Sequence, residues 1–429
     1  MRKILVVGAG GREHAITWAI KNTSLEPVQI FCVPGNAGIA QLAETPSVSP
    51  NGHDALAAFV QSLRIDLTFV GPEAPLVSGI VDLFTQRRLR IVGPSAAAAR
   101  LEGSKIFAKD FMARHRIPTA AFRVADGPKQ AIECLRSGEF GASETPVVIK
   151  ADGLAAGKGV VVARNRAEAE QAIEDLMIHH IAGSEAAQRV VIEEALAGSE
   201  ASLLLFADGR DYALMPAARD HKRIGENDTG PNTGGMGTIT DVSVLDKSVQ
   251  DRVLSEIVEP TLAGARAEGF PFQGVLFLGL MLTEDGPKLL EYNVRFGDPE
   301  TQSILVRLKT DLLAVFDSMC NQTLGRLDVE WSEGASACVV AANKGYPGKY
   351  ESGAVIEGLD QESAGPVQVF HAGTSRDAEG RFIATGGRVL GVTAASESLP
   401  DALSLCYGTL EKIHWPGMQF RRDIGRLSS

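Results

Sequence analysis

Short apolar runs alternate with amphipathic stretches through the first hundred residues, and that alternation leaves such a chain few folds to choose from. Residues 3–8 (KILVVG) are apolar at successive positions, as a strand buried on both faces must be. A helix is expected from about Arg12, then a strand at Val28–Val33. Leu56, Phe59, Val60 and Leu63 recur at helical spacing after polar Asn51 and Asp54. Strands at Leu67–Val70 and Arg90–Val92 flank one more predicted helix. Strand–helix alternation at this pitch builds a parallel sheet. Residues 1–103 therefore predict a doubly wound parallel α/β domain.

With 429 residues and roughly 150 per domain, about three domains are expected. Ser104 reads as the N-cap of a helix carrying Phe107 and Phe111. A smaller unit spans about 118–190: strand VVIK (147–150), a glycine loop, strand GVVVA, and a helix. That helix opens with Asn165 and Glu168 and buries Ala169, Ala172, Ile173 and Leu176. Further strands, helices and a glycine-rich loop at 225–238 complete a central region, 104–325. Short strands and turns at Tyr346-Pro347-Gly348 and Gly386-Gly387 fill a small mixed α/β C-terminal region, 326–429.

A net charge of −11 with no basic run disfavours nucleic acid as a partner. Cys32, Cys134, Cys320, Cys338 and Cys406 lie far apart without CxxC spacing, which suggests reduced thiols in a cytoplasmic protein. No apolar stretch approaches the ~20 residues of a membrane span, and the first strand is too short for a signal peptide.

Glycine clusters mark where backbone approaches a ligand. Gly8-Ala9-Gly10-Gly11-Arg12-Glu13-His14 follows the first strand and begins like a dinucleotide fingerprint. Glu13 replaces the third glycine, however, and the second strand ends without the ribose-binding acid, so a different polar ligand is expected. Pro34-Gly35-Asn36 and Val70-Gly71-Pro72-Glu73 should join this loop at the carboxyl edge of the sheet, where open α/β sheets bind ligands. Lys150-Ala151-Asp152-Gly153-Leu154-Ala155-Ala156-Gly157-Lys158-Gly159 resembles a phosphate loop but lies between two strands, as a flap with a lysine near each end.

In Leu289–Phe296, period-two alternation puts Glu291, Asn293 and Arg295 on one face and Leu290, Tyr292, Val294 and Phe296 in the core. A carboxylate, an amide and a guanidinium in a row suit a hard cation plus phosphate oxygens. Gly297-Asp298-Pro299-Glu300 adds a turn with two acids. Arg219-Asp220-His221-Lys222-Arg223 and Gly230–Gly237 form either a charged surface loop or one that closes over a site.

Taken in order, Gly8–His14, Val70–Leu76, Leu101–Lys105, Ile149–Gly159, Asp220–Arg223, Thr229–Gly237, Asn293–Glu300 and Phe370–Thr374 resemble the phosphoribosylamine–glycine ligase family over essentially the whole chain. The resemblance implies a two-lobed ATP-grasp core between the flanking domains. It also implies ATP-dependent joining of glycine to 5-phosphoribosylamine through a glycyl phosphate, with Mg²⁺ or Mn²⁺. Lys105 and Lys150 then match phosphate-binding lysines, with Asp152, Gly153, Gly157, Lys158 and Gly159 in a covering loop. Glu193, Glu194 and Leu196 belong to the adenine hinge, and Glu200 matches the ribose-binding acid. Glu291 and Asn293 hold metal, although Leu278-Gly279-Leu280 lacks the family fold's usual second acid. Arg295 and Lys222 serve the reacting groups, and Asp220 or Asp298 takes the glycine ammonium. Gly10, Gly11, Arg12, Glu13, His14, Asn36 and Glu73 surround the ribosylamine, with Arg388 at its 5′-phosphate. A monomer or weak homodimer without nucleic-acid or membrane partners is expected.

Overall fold

In the computed structural model, which describes residues 1–49, 52–155, 159–181, 183, 188–359 and 366–426, the chain forms three principal sheets. The first is parallel throughout, in the order Val28–Pro34, Arg2–Gly8, Leu67–Val70, Ile91–Val92. Its first strand has two buried faces because side chains alternate. Ile4 and Val6 pack with Ile16 and Ile20 of helix Gly11–Thr23, whereas Leu5 and Val7 pack with Leu56 and Val60 of helix His53–Leu63. The sheet is thus doubly wound. Between the last two strands lie two helices, Glu73–Val77 and Ile80–Gln86, where one is expected; Gly79, at φ 87°, turns the chain between them.

A second, antiparallel sheet runs Phe122–Ala125, Val190–Glu194, Val147–Ala151, Val160–Ala163. Helices Pro128–Arg136 and Arg166–Met177 cover it, and it keeps a core of its own around Ile149, Leu135, Ile173 and Leu176. Asn165 caps the second helix by accepting from the Glu168 amide (3.0 Å). The Glu168 carboxylate reaches past the cap to the Arg164 amide (2.9 Å).

The third sheet has ten strands. Its main path is Gly286–Asn293, Gln273–Thr283, Ser199–Asp208, Ala218–Asp220, Gly237–Thr240, Ala335–Asn343, Arg388–Ser396, Val367–His371. Strands on both sides of residue 326 therefore share one hydrogen-bonded sheet, through the pairing of Gly237–Thr240 with Ala335–Asn343. Helix Glu300–Leu305, with all six residues buried, packs between this sheet and helix Gly11–Thr23.

The row at Glu291 needs one correction. Gly279 pairs with Glu291 but Leu280 pairs with Leu289, so Leu290 is an extra, bulged residue. Parity slips by one there: Leu289 enters the core and Leu290 stays half-buried, while Tyr292, Val294 and Phe296 are buried as alternation expects. The strand ends at Asn293, leaving Arg295 in the turn that follows.

Candidate active site

The bulge has a chemical consequence. With Leu290 out of the ladder, its carbonyl is open to another donor, and Lys150 Nζ donates to it at 3.1 Å. The lysine of the glycine flap and the carboxylate row thus meet directly. Lys105, first residue of helix Lys105–Arg114, reaches Glu291 at 3.0 Å. The Lys105 charge, with help from Lys222 and Lys150, outweighs burial and holds the Glu291 carboxyl far below its ordinary range. Lys105 in turn stays charged, because Glu291 offsets the effect of burial.

Asn293 accepts from Arg295 (3.2 Å), and Arg295 also meets Glu73 (3.2 Å) and Glu102 (2.8 Å). Burial works against the guanidinium's charge, but Glu102 and Glu73 more than restore it. Glu102 also accepts from the Val294 amide (2.7 Å), so the row's last residue is clamped from two sides. Opposite Glu291 stands Gly279, whose absent side chain would touch the Glu291 Cγ at 3.2 Å. At the position opposite Glu291 a glycine thus stands in place of a second acid. Among the described residues, no three acid, histidine or cysteine groups converge as metal ligands.

Glu200 ends beside Lys222, both at the open side of the cleft. Neighbouring carboxylates, Glu200 foremost, outweigh burial and raise the lysine. Glu194 is half-buried; its amide donates to Ala121 O (3.0 Å) and its carboxylate accepts from the Ala121 amide (2.9 Å), and Leu196 is half-buried as well. Gly153 and Gly159 flank the tip of the flap, while Gly157 and Lys158 lie outside the described residues.

Several residues expected near a ligand carry side chains that turn inward. Asp152 accepts from Ser104 Oγ (2.7 Å) and the Ile106 amide (3.2 Å) and pairs with Arg189 (2.7 Å). Its oxygens are committed to a helix start. The Glu193 carboxylate is likewise buried, between Lys109 and Lys150. Glu13 accepts from the Gly10 amide (2.6 Å) and pairs with Arg12, whose guanidinium also donates to Phe296 O (3.0 Å). Gly71 must be glycine for this: a Cβ there would lie 2.0 Å from Glu13 Oε1. His14 Nδ1 accepts from the His371 amide (2.8 Å). Gly11 is buried against Gln302.

Of residues 10–14, only Gly10 borders the adjacent cavity of about 420 Å³, which Asn36, Asp298, Thr374, Thr385 and Arg388 also line. Asn36 braces that wall, donating to Ala9 O and His371 O (both 2.8 Å) and accepting from the Gly38 and Ile39 amides. Glu73 stands with Arg295, away from this lining. Arg388 donates to Asp298 O (2.7 Å) and lies 3.4 Å from its carboxylate.

Asp220 and Asp298 differ. Asp298 accepts from Gln302 (2.9 Å), and although burial raises its carboxyl, Arg388 and Arg12 bring it below the ordinary range. Asp220 Oδ1 is fully buried with no hydrogen-bond partner among the described residues. Burial and the Glu300 charge lift its pKa well above normal. The chain beyond it, Arg223–Gly225 and Thr229–Asn232, forms a small hairpin instead of an open loop. Arg421 pins it from the C-terminal segment through Arg223 O (3.0 Å) and Asp228 (2.7 Å). Glu102 and Lys109 escaped the sequence reading as site residues. Glu102 sat within a recognised motif without a role, and Lys109 gave no signal at all.

Comparison with known proteins supplies the context. Three families match along the chain: phosphoribosylglycinamide synthetase N domain over residues 2–102, its ATP-grasp (A) domain over 103–301, and its C domain over 336–427. The phosphoribosylamine–glycine ligase of Pseudomonas aeruginosa is 47% identical over 98% of this chain and 97% of its own length. The Escherichia coli enzyme of that name is 46% identical over 99% and 98%. A Thermotoga maritima phosphoribosylamine–glycine ligase structure superposes with TM-score 0.85 at 34% identity, covering 99% of this chain and all of that one. The biotin carboxylase domain of Hydrogenobacter thermophilus 2-oxoglutarate carboxylase, solved with MgADP, shares the fold (TM-score 0.74, 16% identity, 98% and 91% covered).

Proposed function

The chain belongs to the family of phosphoribosylamine–glycine ligases, ATP-grasp carbon–nitrogen ligases of purine biosynthesis, and from that premise we propose how its residues share the work of joining glycine to 5-phosphoribosylamine. A glycine carboxylate oxygen attacks the γ-phosphorus of ATP; the bond from that phosphorus to the β–γ bridging oxygen breaks, and ADP leaves. The ribosylamine nitrogen then attacks the acyl carbon of glycyl phosphate. The carbon–oxygen bond to phosphate breaks, the nitrogen gives up a proton, and glycinamide ribonucleotide remains. Neither step asks for a covalent protein group; both ask for alignment and neutralised charge.

In this reading adenine lies against the backbone of Glu193, Glu194 and Leu196, and Glu200 takes the ribose hydroxyls once Lys222 releases it. Lys105 and Lys150 meet the phosphates beneath the flap from Gly153 to Gly159, which in sequence includes Gly157 and Lys158. Glu291 and Asn293 offer an ionised carboxylate and an amide oxygen, a hard-oxygen pair that fits Mg²⁺ or Mn²⁺ completing its shell with phosphate and water. Bound there, the cation would neutralise phosphate charge. Arg295, fixed by Glu73 and Glu102, faces the acyl phosphate as a preorganised cation.

The cavity beside Gly10 and Asn36 suits the ribosylamine, with Arg388 at its 5′-phosphate. Between the two acids, Asp220 is the better seat for the glycine ammonium, because its buried oxygen lacks a partner whereas Asp298 is engaged. We divide the chain into an N-terminal α/β domain (1–103), an ATP-grasp domain (104–325) and a C-terminal domain (326–429). It works on small molecules in the cytoplasm, as a monomer or weak homodimer.

The contact of Lys150 with Leu290 O, next to the Lys105–Glu291 pair, carries this reading, since it joins flap and carboxylate row in one cleft. With ATP, Mg²⁺, glycine and ribosylamine formed in situ from ribose 5-phosphate and ammonia, ADP release is expected to require every component. Alanine, serine or formate replacing glycine at undiminished rate would refute the substrate assignment. Glu291→Gln is expected to lower turnover on the order of a thousandfold at unchanged melting temperature. Near-normal turnover would remove Glu291 from the site.

A further inference from the structure

Behind the phosphate-facing surface lies a cluster of charged side chains of which the reaction scheme uses only Lys150. Glu193 is 1% exposed, Lys109 2% and Lys150 5%. One carboxylate oxygen lies 2.9 Å from Lys109 Nζ, and the other lies 2.9 Å from Lys150 Nζ. Lys109 also donates to Thr119 Oγ1 (2.7 Å), which donates to Leu289 O (2.6 Å), while Lys150 donates to Leu290 O. The triad therefore joins helix Lys105–Arg114, the hinge strand Val190–Glu194, the flap strand Val147–Ala151 and both carbonyls at the bulge.

Two ammoniums against one carboxylate make a net charge of +1. A dry net charge is costly unless something neutralises it. Among the described residues no second carboxylate lies within ion-pairing distance of either lysine; Glu291 acts on Lys150 from further off but is already paired with Lys105, so an entering anion would complete the balance. Lys150 is the member nearer the cleft, since it also touches the residue before Glu291. Were Lys109 absent or neutral, Glu193 and Lys150 would form a closed one-to-one pair, with less reason to admit a phosphate.

We propose that Lys109 is a positioning residue for the nucleotide: by claiming half of Glu193, it keeps Lys150 partly unpaired and aimed at phosphate. The idea rests on the reading of Lys150 as a phosphate contact. Burial lowers the Lys109 pKa to about 8; Glu193 resists that shift, and Lys150 and Lys105 reinforce it. Among the described residues those three are the charged groups that act on it, Lys105 from its own helix and the others from the hinge and flap strands; Thr119 and the Phe122 ring (5.8 Å) lie against it as well. As pH rises through the Lys109 pKa, the ammonium loses its proton and Glu193 falls wholly to Lys150.

Steady-state ADP release, with ATP and glycine varied separately, tests this. Lys109→Met is expected to raise the ATP KM on the order of tenfold and leave the glycine KM within about twofold. Lys109→Arg should recover most of the loss. In the wild type the ATP KM should climb above about pH 8; in Lys109→Met it should be high and flat. An ATP KM unchanged in Lys109→Met, or equal losses for both substrates, overturns the proposal. If Lys109→Met does not fold, the wild-type profile decides: a flat ATP KM across pH 8 overturns it, and a rise that glycine KM does not share supports it. An unchanged ATP KM in Lys150→Ala would instead bring down the phosphate reading itself.

Discussion

A buried histidine that already accepts a hydrogen bond is a poor ligand but a sensitive probe of acid. His14 and His371 occupy one dry contact, ring centroids 5.6 Å apart, and burial pushes their pKa values down to about 3 and about 4. Unfolded, each titrates near 6.5. Between those values the unfolded chain takes up protons that the folded chain refuses. Stability is therefore full above about pH 6.5 and drains as pH falls, on the order of 1 kcal/mol per pH unit for each ring. Urea unfolding at pH 7 and pH 5 should show that loss, and His14→Asn, which keeps an acceptor near Nδ1, should lose less. An equal acid loss in the variant would mean that the titrating groups lie elsewhere. The family resemblance placed Glu13 and His14 beside a ligand. Their inward turn depends on Gly71 and His371, from other parts of the chain, which local pattern cannot report. Lys109 was illegible for a related reason: a lysine within a helix is ordinarily solvated, and only the approach of Glu193 makes it otherwise.

At the scale of elements, the helices and strands of the first hundred residues were legible because their hydrophobic periods are clean. The bulge was not. Leu289 and Leu290 are both leucine, so either parity satisfies the core, and only pairing with Gly279 and Leu280 decides between them. Asp152 illustrates the same limit. In sequence it belongs to the flap, but in the fold it secures the start of helix Lys105–Arg114 and holds Arg189. Asp152→Ala is accordingly expected to cost about 1–2 kcal/mol of stability, as loss of a cap does, and to alter the ATP KM far less than Lys150→Ala. Thermal melts and substrate titrations on the two variants separate these roles; a large ATP KM effect at unchanged stability would return Asp152 to the nucleotide.

Across the whole molecule, a change in motif content near residue 326 says nothing about whether hydrogen bonding stops there. Thr240 bonds Ser336 (2.7 Å), Ser336 bonds Ser303 O (2.5 Å), and the two regions share a sheet. Truncation after residue 333 would strip the partner from strand Gly237–Thr240, leaving a bare, buried-type edge. No soluble product with a cooperative melt is expected; a stable, monomeric truncated protein would show that the C-terminal region is dispensable for folding.

The ion pairs Lys105–Glu291 and Lys222–Glu200 give the cleft a further property. It works like a resin loaded with its own counter-ions: whatever enters must exchange with partners already present. A bare polyanion that captures Lys105 strands Glu291, and a bare cation at Glu291 strands the lysine. Admission favours a guest that arrives with both signs of charge, and its grip is the small remainder between two large attractions.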